Sequence, residues 1–194
     1  MSANKIICIG GSSGAPMLAA TLLEKLPADL NAALLLALHI PAPLVSSFAA
    51  TIKSRSQLSV EMAADGKFPE AGHVYVCPGA MHIGLNKAGR IVVTPRPEGT
   101  PFKPSIDILF HTAAQFMGPK VTAVVLKGLT LKRDARQGAL SVKQAGGRVI
   151  VQNDPVDTLF GMTRDVIEAG AATDQVPMNN MADLIVKVVG KIQG

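Results

Sequence analysis

The stretch "IICIGGSSGAPML", Ile6–Leu18, decides how the rest of the chain is read. A short apolar run enters a turn of three glycines and two serines, and a helical pattern leaves it. An apolar run too short for a helix, closed by small residues and followed by 3.6-residue periodicity, is the mark of a strand-turn-helix unit. Such a turn can cradle a phosphate, expose a nucleophile or simply reverse the chain. A dinucleotide fingerprint needs G-x-G-x-x-G, and Gly10, Gly11 and Gly14 do not supply it. A P-loop needs a lysine after its last glycine, and none follows Gly14. Phosphate binding by the bare helix N-terminus is the weaker reading. The residues do satisfy G-x-S-x-G as Gly10-Gly11-Ser12-Ser13-Gly14, between a strand and a helix. That context is the one in which a serine is held out on a sharp turn, with helix-start amides beside it to receive an oxyanion.

Outward from that turn, strands and helices alternate. Lys5–Ile9, Ala33–Leu38, Ser59–Ala63, Val74–Cys77, Val121–Leu126 and Arg148–Val151 read as strands. Met17–Lys25, Leu44–Ser54, Ile106–Met117 (opened by Ser105 as N-cap), Ala135–Ala145, Thr163–Glu168 and Met181–Ile192 read as helices. His82–Leu85 and Arg90–Thr94 flank "NKAG", a hairpin signal, and "PRPEGTPFKP" reads as an irregular loop. The pattern predicts an α/β fold: a doubly wound, mostly parallel sheet in three αβα layers, with an inserted antiparallel β-hairpin. No repeat or linker divides the chain, so residues 1–194 are expected to form a single domain.

Composition narrows the function. Of 194 residues, 48% are hydrophobic and 17% charged, which excludes a disordered segment. Aromatics reach only 4%, so the core falls to Val, Ile, Leu and Ala, as in strands buried on both faces. A net charge of +5 without long basic runs gives no support for nucleic-acid binding and suits an acidic protein partner equally well. Cys8 and Cys77 lie inside apolar strand-like runs, as expected of buried reduced thiols. The four histidines show no metal-ligand spacing. The N-terminus lacks a signal-peptide core, and "AALLLALHIPAPLV" is too short to span a bilayer, so neither membrane insertion nor export is expected and the chain reads as cytoplasmic.

In open α/β sheets the site lies off the carboxyl ends of the strands. The residues just beyond three of the apolar runs are Ser12, His39 and, in the loop after "VTAVVL", Asp134. A serine, a histidine and an aspartate brought to one edge suggest acyl transfer, with His39 taking the Ser12 proton and Asp134 orienting the imidazole and stabilising its cation. The distance that tests this is that from the Asp134 carboxylate to His39 Nδ1. The chain order Ser, His, Asp differs from the Ser, Asp/Glu, His order of α/β-hydrolases.

Six motifs in order resemble those of the chemotaxis receptor methylesterase (CheB-type) catalytic domain. "GGSSGA" (Gly10–Ala15) is similar to the family's "GASTGG", and "LHIP" (Leu38–Pro41) to "QHMP". "PGAMH" (Pro78–His82) resembles "PGD-H", and "KPSIDILFHT" (Lys103–Thr112) resembles "RPSVDVLFHS". "AGGRVIVQ" (Ala145–Gln152) and "GMTRDVI" (Gly161–Ile167) follow in the same order as their family counterparts. The resemblance implies a serine hydrolase that removes methyl groups from glutamyl methyl esters on chemoreceptor cytoplasmic helices, often also deamidating glutamines, with no cofactor or metal. It assigns Ser12 as nucleophile, His39 as base and Asp134 as the third member. Ser13 and Gly14 fall beside the nucleophile, and the amide that completes the oxyanion hole falls at Leu129 or Leu131.

The chain departs from the family in the loop before the aspartate. The family's "TGMG-DG" becomes "KGLTLKRDARQG" (Lys127–Gly138), two residues longer and with Ala135 where a glycine follows the aspartate. If that glycine has a positive φ, Ala135 adopts it only at a cost of roughly 1–2 kcal/mol, and a changed loop path is expected. Lys127, Lys132, Arg133 and Arg136 crowd the same loop, either steering an acidic partner or, through an Arg133–Asp134 pair, drawing the aspartate off His39. The phosphorylatable receiver domain that ordinarily precedes this domain has no counterpart here. These 194 residues are then either part of a longer protein or regulated differently, with a separate receiver protein as an expected partner. A second reading, of another class, is a degenerate member that keeps the fold as a receptor-binding or scaffold module.

Overall fold

The computed structural model describes residues 3–95, 104–129, 133–154 and 161–192. Seven strands form one sheet in the order β3-β4-β2-β1-β7-β8-β9. They are β1 (Ile6–Gly11), β2 (Ala33–Leu38), β3 (Ser59–Met62), β4 (His73–Val76), β7 (Val121–Val125), β8 (Arg148–Gln152) and β9 (Asp174–Val176), and every pairing among them is parallel. Every residue of β1 and β2 is buried, as sheets covered on both faces require. The two-residue pleat divides β1 between two cores. Ile6 and Cys8 join one with Phe110 and Val142, while Ile7 and Ile9 join the other with Leu22 and Ile185.

The helices are α1 (Ala15–Lys25), α2 (Val45–Arg55), α3 (Ile106–Met117), α4 (Arg136–Gln144), α5 (Met162–Glu168) and α6 (Met178–Val189). Residues of α1, α2 and α6 fill one core and those of α3, α4 and α5 the other, giving the expected three layers. The antiparallel hairpin β5 (Met81–Leu85) and β6 (Ile91–Pro95) forms its own two-stranded sheet. Asn86 Oδ1 closes its turn by accepting from the Ala88 and Arg90 amides, and the Leu85 amide donates to Thr112 Oγ1 of α3.

Several boundaries differ from the sequence expectation. Pro16 in the first helical turn starts α1 at Ala15 rather than Met17, and Pro177 as N-cap starts α6 at Met178 rather than Met181. Ala135 is left-handed and cannot be helical, so α4 opens one residue later than expected. The edge strand β9 is three residues of "DQV", too short and too polar to register as an apolar run. Most of the proline-rich loop expected after β6 lies outside the described residues. No helix among the described residues is long and apolar enough to cross a membrane.

From β1 the chain winds outward through β2 to β4 and β3, and from β7 outward through β8 to β9. The winding therefore reverses between β1 and β7, which is where the crevice of such a sheet opens.

Candidate active site

Three strand ends are tied together at that crevice by backbone hydrogen bonds. The His39 amide donates to the Gly11 carbonyl at 3.0 Å, Leu126 to Gly10 at 2.8 Å, and Ser12 to Lys127 at 3.2 Å. The residue that follows β1 is thereby fixed between those that follow β2 and β7. Ser12 is 7% exposed, and beyond it Ser13 and Gly14 form the exposed turn into α1. Gly14 caps α1 at φ 80°, a conformation that L side chains pay to adopt.

The far wall of Ser12 is Gly128. A Cβ on Gly128 would stand 2.4 Å from Ser12 Cβ and 2.6 Å from its amide nitrogen, so only glycine allows this approach. The Gly128 carbonyl is held in turn by the Met162 amide at 2.9 Å. Leu129, the next residue, is 68% exposed. Leu131 and Lys132 lie outside the described residues.

Ser12, His39 and Asp134 meet in one hydrogen-bonded line. Ser12 Oγ lies 3.2 Å from His39 Nδ1, and Asp134 Oδ2 lies 3.0 Å from His39 Nε2. The imidazole is therefore turned the other way from expectation, with Nε2 rather than Nδ1 on the carboxylate. The strand order supplies the reason: His39 follows β2 and Asp134 follows β7, with β1 between them. Strands two places apart are about 9.6 Å from each other, so the ring's far nitrogen is the one that reaches across. An ionised Asp134 accepts from Nε2–H and leaves the Nδ1 lone pair facing the serine hydroxyl.

Asp134 is 1% exposed and saturated with donors. Besides His39 it accepts from the Ile106 amide at 2.8 Å, the Asp107 amide at 3.0 Å and the Ser105 hydroxyl at 3.2 Å. It thus occupies the N-terminus of α3, whose first amides would otherwise be orphaned. Burial works to raise its pKa, but the bonds from His39, Ile106 and Asp107 outweigh that and hold the carboxyl below its ordinary value. Arg133 does not draw it away: its Nε faces Asp165 Oδ1 at 3.8 Å. Ala135 takes φ 79°, so the strained angle itself is adopted, while residues 130–132 of the loop lie outside the described residues.

Sequence reasoning missed part of this arrangement. It took Ser105 as an N-cap, which it is, accepting from the Ile108 amide, but not as a partner of Asp134. It gave Asp107 and Gly128 no part. The visible signal was "PSID" ahead of an apolar helical run, which marks a helix start without saying what caps it. His82 is 2% exposed and accepts the Ser105 amide through Nδ1 at 3.0 Å. Both cysteines are free and buried, and burial pushes the Cys77 thiol up to about 12 and that of Cys8 higher still, which disqualifies them as nucleophiles. Among the described residues no cluster of His, Cys, Asp or Glu has the makings of a metal site. A cleft of about 420 Å³ opens beside His39, lined with it by Ile40, Pro41, Ala42 and Ala80.

The CheB methylesterase family model matches residues 7–185. A protein-glutamate methylesterase/protein-glutamine glutaminase of Chromohalobacter salexigens is 35% identical over 96% of this chain and 53% of its own. One of the same name from Pyrococcus horikoshii is 34% identical over 97% of this chain and 51% of its own. The chain spans about half the length of the curated relatives it matches. The crystal structure of the Thermotoga maritima CheB methylesterase catalytic domain superposes with a TM-score of 0.87 at 31% identity, covering 95% of this chain and 98% of that one. The chain belongs to the CheB methylesterase family.

Proposed function

We propose that this member of the CheB methylesterase family is a protein-glutamate methylesterase, its residues 1–194 acting as one catalytic domain on chemoreceptor cytoplasmic helices. The observation that carries the reading is the unbroken path from Ser12 Oγ through His39 to Asp134. Ser12 Oγ attacks the ester carbonyl carbon while its proton passes to His39 Nδ1. The tetrahedral intermediate collapses, the C–OCH₃ bond breaks, and methanol leaves with the proton from His39. Water, deprotonated by the same nitrogen, then cleaves the acyl-enzyme to free glutamate and Ser12. A glutamine side chain passes through the same steps with ammonia as the leaving group. Asp134 stays ionised throughout and offsets the charge on His39.

Amides of Ser13 and Gly14 at the start of α1 are our choice for the oxyanion, with Leu129 on the opposite wall. Leu131 competes with Leu129 for that role. A large partner suits the rim. Met17, Leu44, Ile108 and Leu129 are the exposed large apolar residues on segments leaving the carboxyl edge of the sheet, and such residues are common where proteins dock. The degenerate-scaffold reading drew on the rebuilt loop; the Asp134–His39 hydrogen bond favours the esterase reading over it. A separate receiver protein fits as regulator.

Labelling by a fluorophosphonate tests the reading. The wild-type chain should label and Ser12→Ala should not, with ester hydrolysis reduced on the order of 10³-fold or more while the fold persists. Wild-type turnover by Ser12→Ala would overturn it.

A further inference from the structure

Helices α3 and α4 exchange caps. Asp134, two residues before α4, places its carboxylate on the first amides of α3. Asp107, the second residue of α3, places its carboxylate on the first amides of α4: Oδ1 accepts from the Gly138 amide at 2.6 Å, and the amides of Ala135 and Gln137 also bear on it. Each helix start is thus closed by an acid that belongs to the other.

The exchange bears on His39. Asp134 is separated from α4 only by Ala135, so the seat of α4 sets where the Asp134 backbone lies. Ala135 holds a left-handed φ that a non-glycine residue keeps only when its surroundings over-determine it. Asp107 supplies such a constraint, because its carboxylate holds the Gly138 amide in the first turn of the helix that the kink opens. Neither Ser12 nor His39 hydrogen-bonds Asp107, so its effect on them would pass through the loop.

We propose that Asp107 is a positioning residue of the esterase reaction: by capping α4 from α3, it fixes Asp134 at the distance from which that carboxylate orients His39. The proposal rests on the triad reading given above. What matters in it is an acceptor oxygen at the Gly138 amide, not a second negative charge beside Asp134.

The test uses the full chain, a small carboxylic methyl ester and the low-field NMR resonance of the His39 Nε2 proton. Asp107→Ala should lower kcat on the order of 10- to 100-fold, as a misplacement near 1 Å does, with KM within about twofold. The Nε2 proton should move upfield or broaden. Asp107→Asn keeps an oxygen for Gly138 and should restore kcat to within about threefold of wild type, together with the resonance. Asp107→Ser, which keeps an oxygen but loses the reach, stands in for Asp107→Ala should the latter not fold. A folded Ala or Ser variant with wild-type kcat and an unmoved resonance overturns the proposal. So does an Asn variant as slow as the Ala variant, which would make the charge the active feature. Ser12→Ala run alongside separates the two levels. If Ser12→Ala is inert while Asp107→Ala runs at full rate, only this inference falls; if Ser12→Ala is active, the triad reading falls with it.

Discussion

The turn that carries Ser12 and the loop that carries Asp134 arrive at the same backbone conformation with different residues. Gly14 caps α1 at φ 80°, ψ −17°, and Ala135 caps α4 at φ 79°, ψ −20°. On the serine side the left-handed residue is free of steric cost. On the aspartate side it carries a methyl group and roughly 1–2 kcal/mol of strain. The comparison separates two ways of fixing a reacting group. A glycine turn reaches its shape unaided, whereas the Asp134 loop is forced into the same shape by hydrogen bonds from a neighbouring helix. A non-glycine residue at a kink therefore need not mean a different backbone angle there.

The comparison breaks most severely where the two segments touch. Gly128 of the aspartate-side loop lies against Ser12 so closely that an added Cβ would meet three backbone or Cβ atoms within 2.7 Å. None of them is the end of a flexible side chain, so the backbone must move. Gly128→Ala should destabilise the chain by about 1–3 kcal/mol. It should also cost on the order of 10²-fold in kcat/KM for a small ester, since Ser12, the proposed nucleophile, is displaced. Urea titration and steady-state kinetics check both, and a folded variant at wild-type rate would detach Gly128 from the nucleophile's geometry.

Exchanging the two capping residues sharpens the comparison. Ala135→Gly removes the strain but adds unfolded-chain entropy of about 0.5–1 kcal/mol, for a net gain of up to ~1 kcal/mol and a Tm higher by ~2–4 °C at most. Gly14→Ala should cost the mirror amount, up to ~1 kcal/mol once the smaller freedom of the unfolded chain is counted, its Cβ falling 3.0 Å from the Lys127 Cε, which can yield. Calorimetry on both variants decides. Equal and opposite shifts mean the two kinks are energetically alike, while no gain from Ala135→Gly means the strain has been relaxed elsewhere.

Much of this was legible beforehand, for identifiable reasons. Buried parallel strands advertise themselves as unbroken apolar runs, so "IICI", "ALLLAL" and "VTAVVL" were readable, and the residue after each converges by the rule of the carboxyl edge. The hairpin followed from its turn residues. What escaped depends on contacts between segments far apart in sequence. Which nitrogen of His39 meets Asp134 follows from strand order, which periodicity does not report. The exchange of caps pairs residues 107 and 138, and nothing local to either announces the other. Ala135 marked a steric cost, yet whether the loop accepted that cost or avoided it was set by Asp107.

The two exchanged acids should also part company with pH. Burial, opposed by the Gly138 amide and aided by the Asp134 charge, pushes Asp107 up to about 6, whereas Asp134 is held below its ordinary value. An unfolded Asp ionises near ~3.9. Between there and pH about 6 the native chain therefore holds a proton at Asp107 that the unfolded chain has lost. Its contribution is full below that window and is lost as pH rises through it. Asp134 runs the other way, contributing above the ordinary Asp value and failing only as pH falls toward its own lower one. Asp134 bears on Asp107 from the α4 side, and His111 is the titratable group one turn along α3. Relative to wild type, Asp107→Asn should gain in Tm between pH 5 and pH 8, by a few degrees at most because part of the carboxyl is exposed to screening. A difference that stays flat with pH would place the Asp107 ionisation in the ordinary range.

The smallest effect is expected from the cations beside Asp134. Arg136 opens α4, where a positive charge opposes the helix dipole, so it does not stand there for stability. Arg133 is 66% exposed, and its contact with Asp165 at 3.8 Å is of the kind that contributes little. Both sit beside the acid that reaches His39, where an acidic receptor helix would approach. Charges of this sort act by steering, each worth about 1 kcal/mol or less and weakened by salt. Arg133→Ala combined with Arg136→Ala should raise KM for a receptor fragment by about fivefold at low ionic strength and leave a small neutral ester unaffected. Gly10–Gly14 contributes no cation of its own, the nearest being Lys127 of the aspartate-side loop, so the receptor-specific loss should come from the aspartate side. Raising the salt should bring variant and wild type together, since screening removes the advantage that the substitutions removed. Equal losses on both substrates would mean the substitutions had disturbed Asp134 itself, and a loss indifferent to salt would return these side chains to the solvated surface.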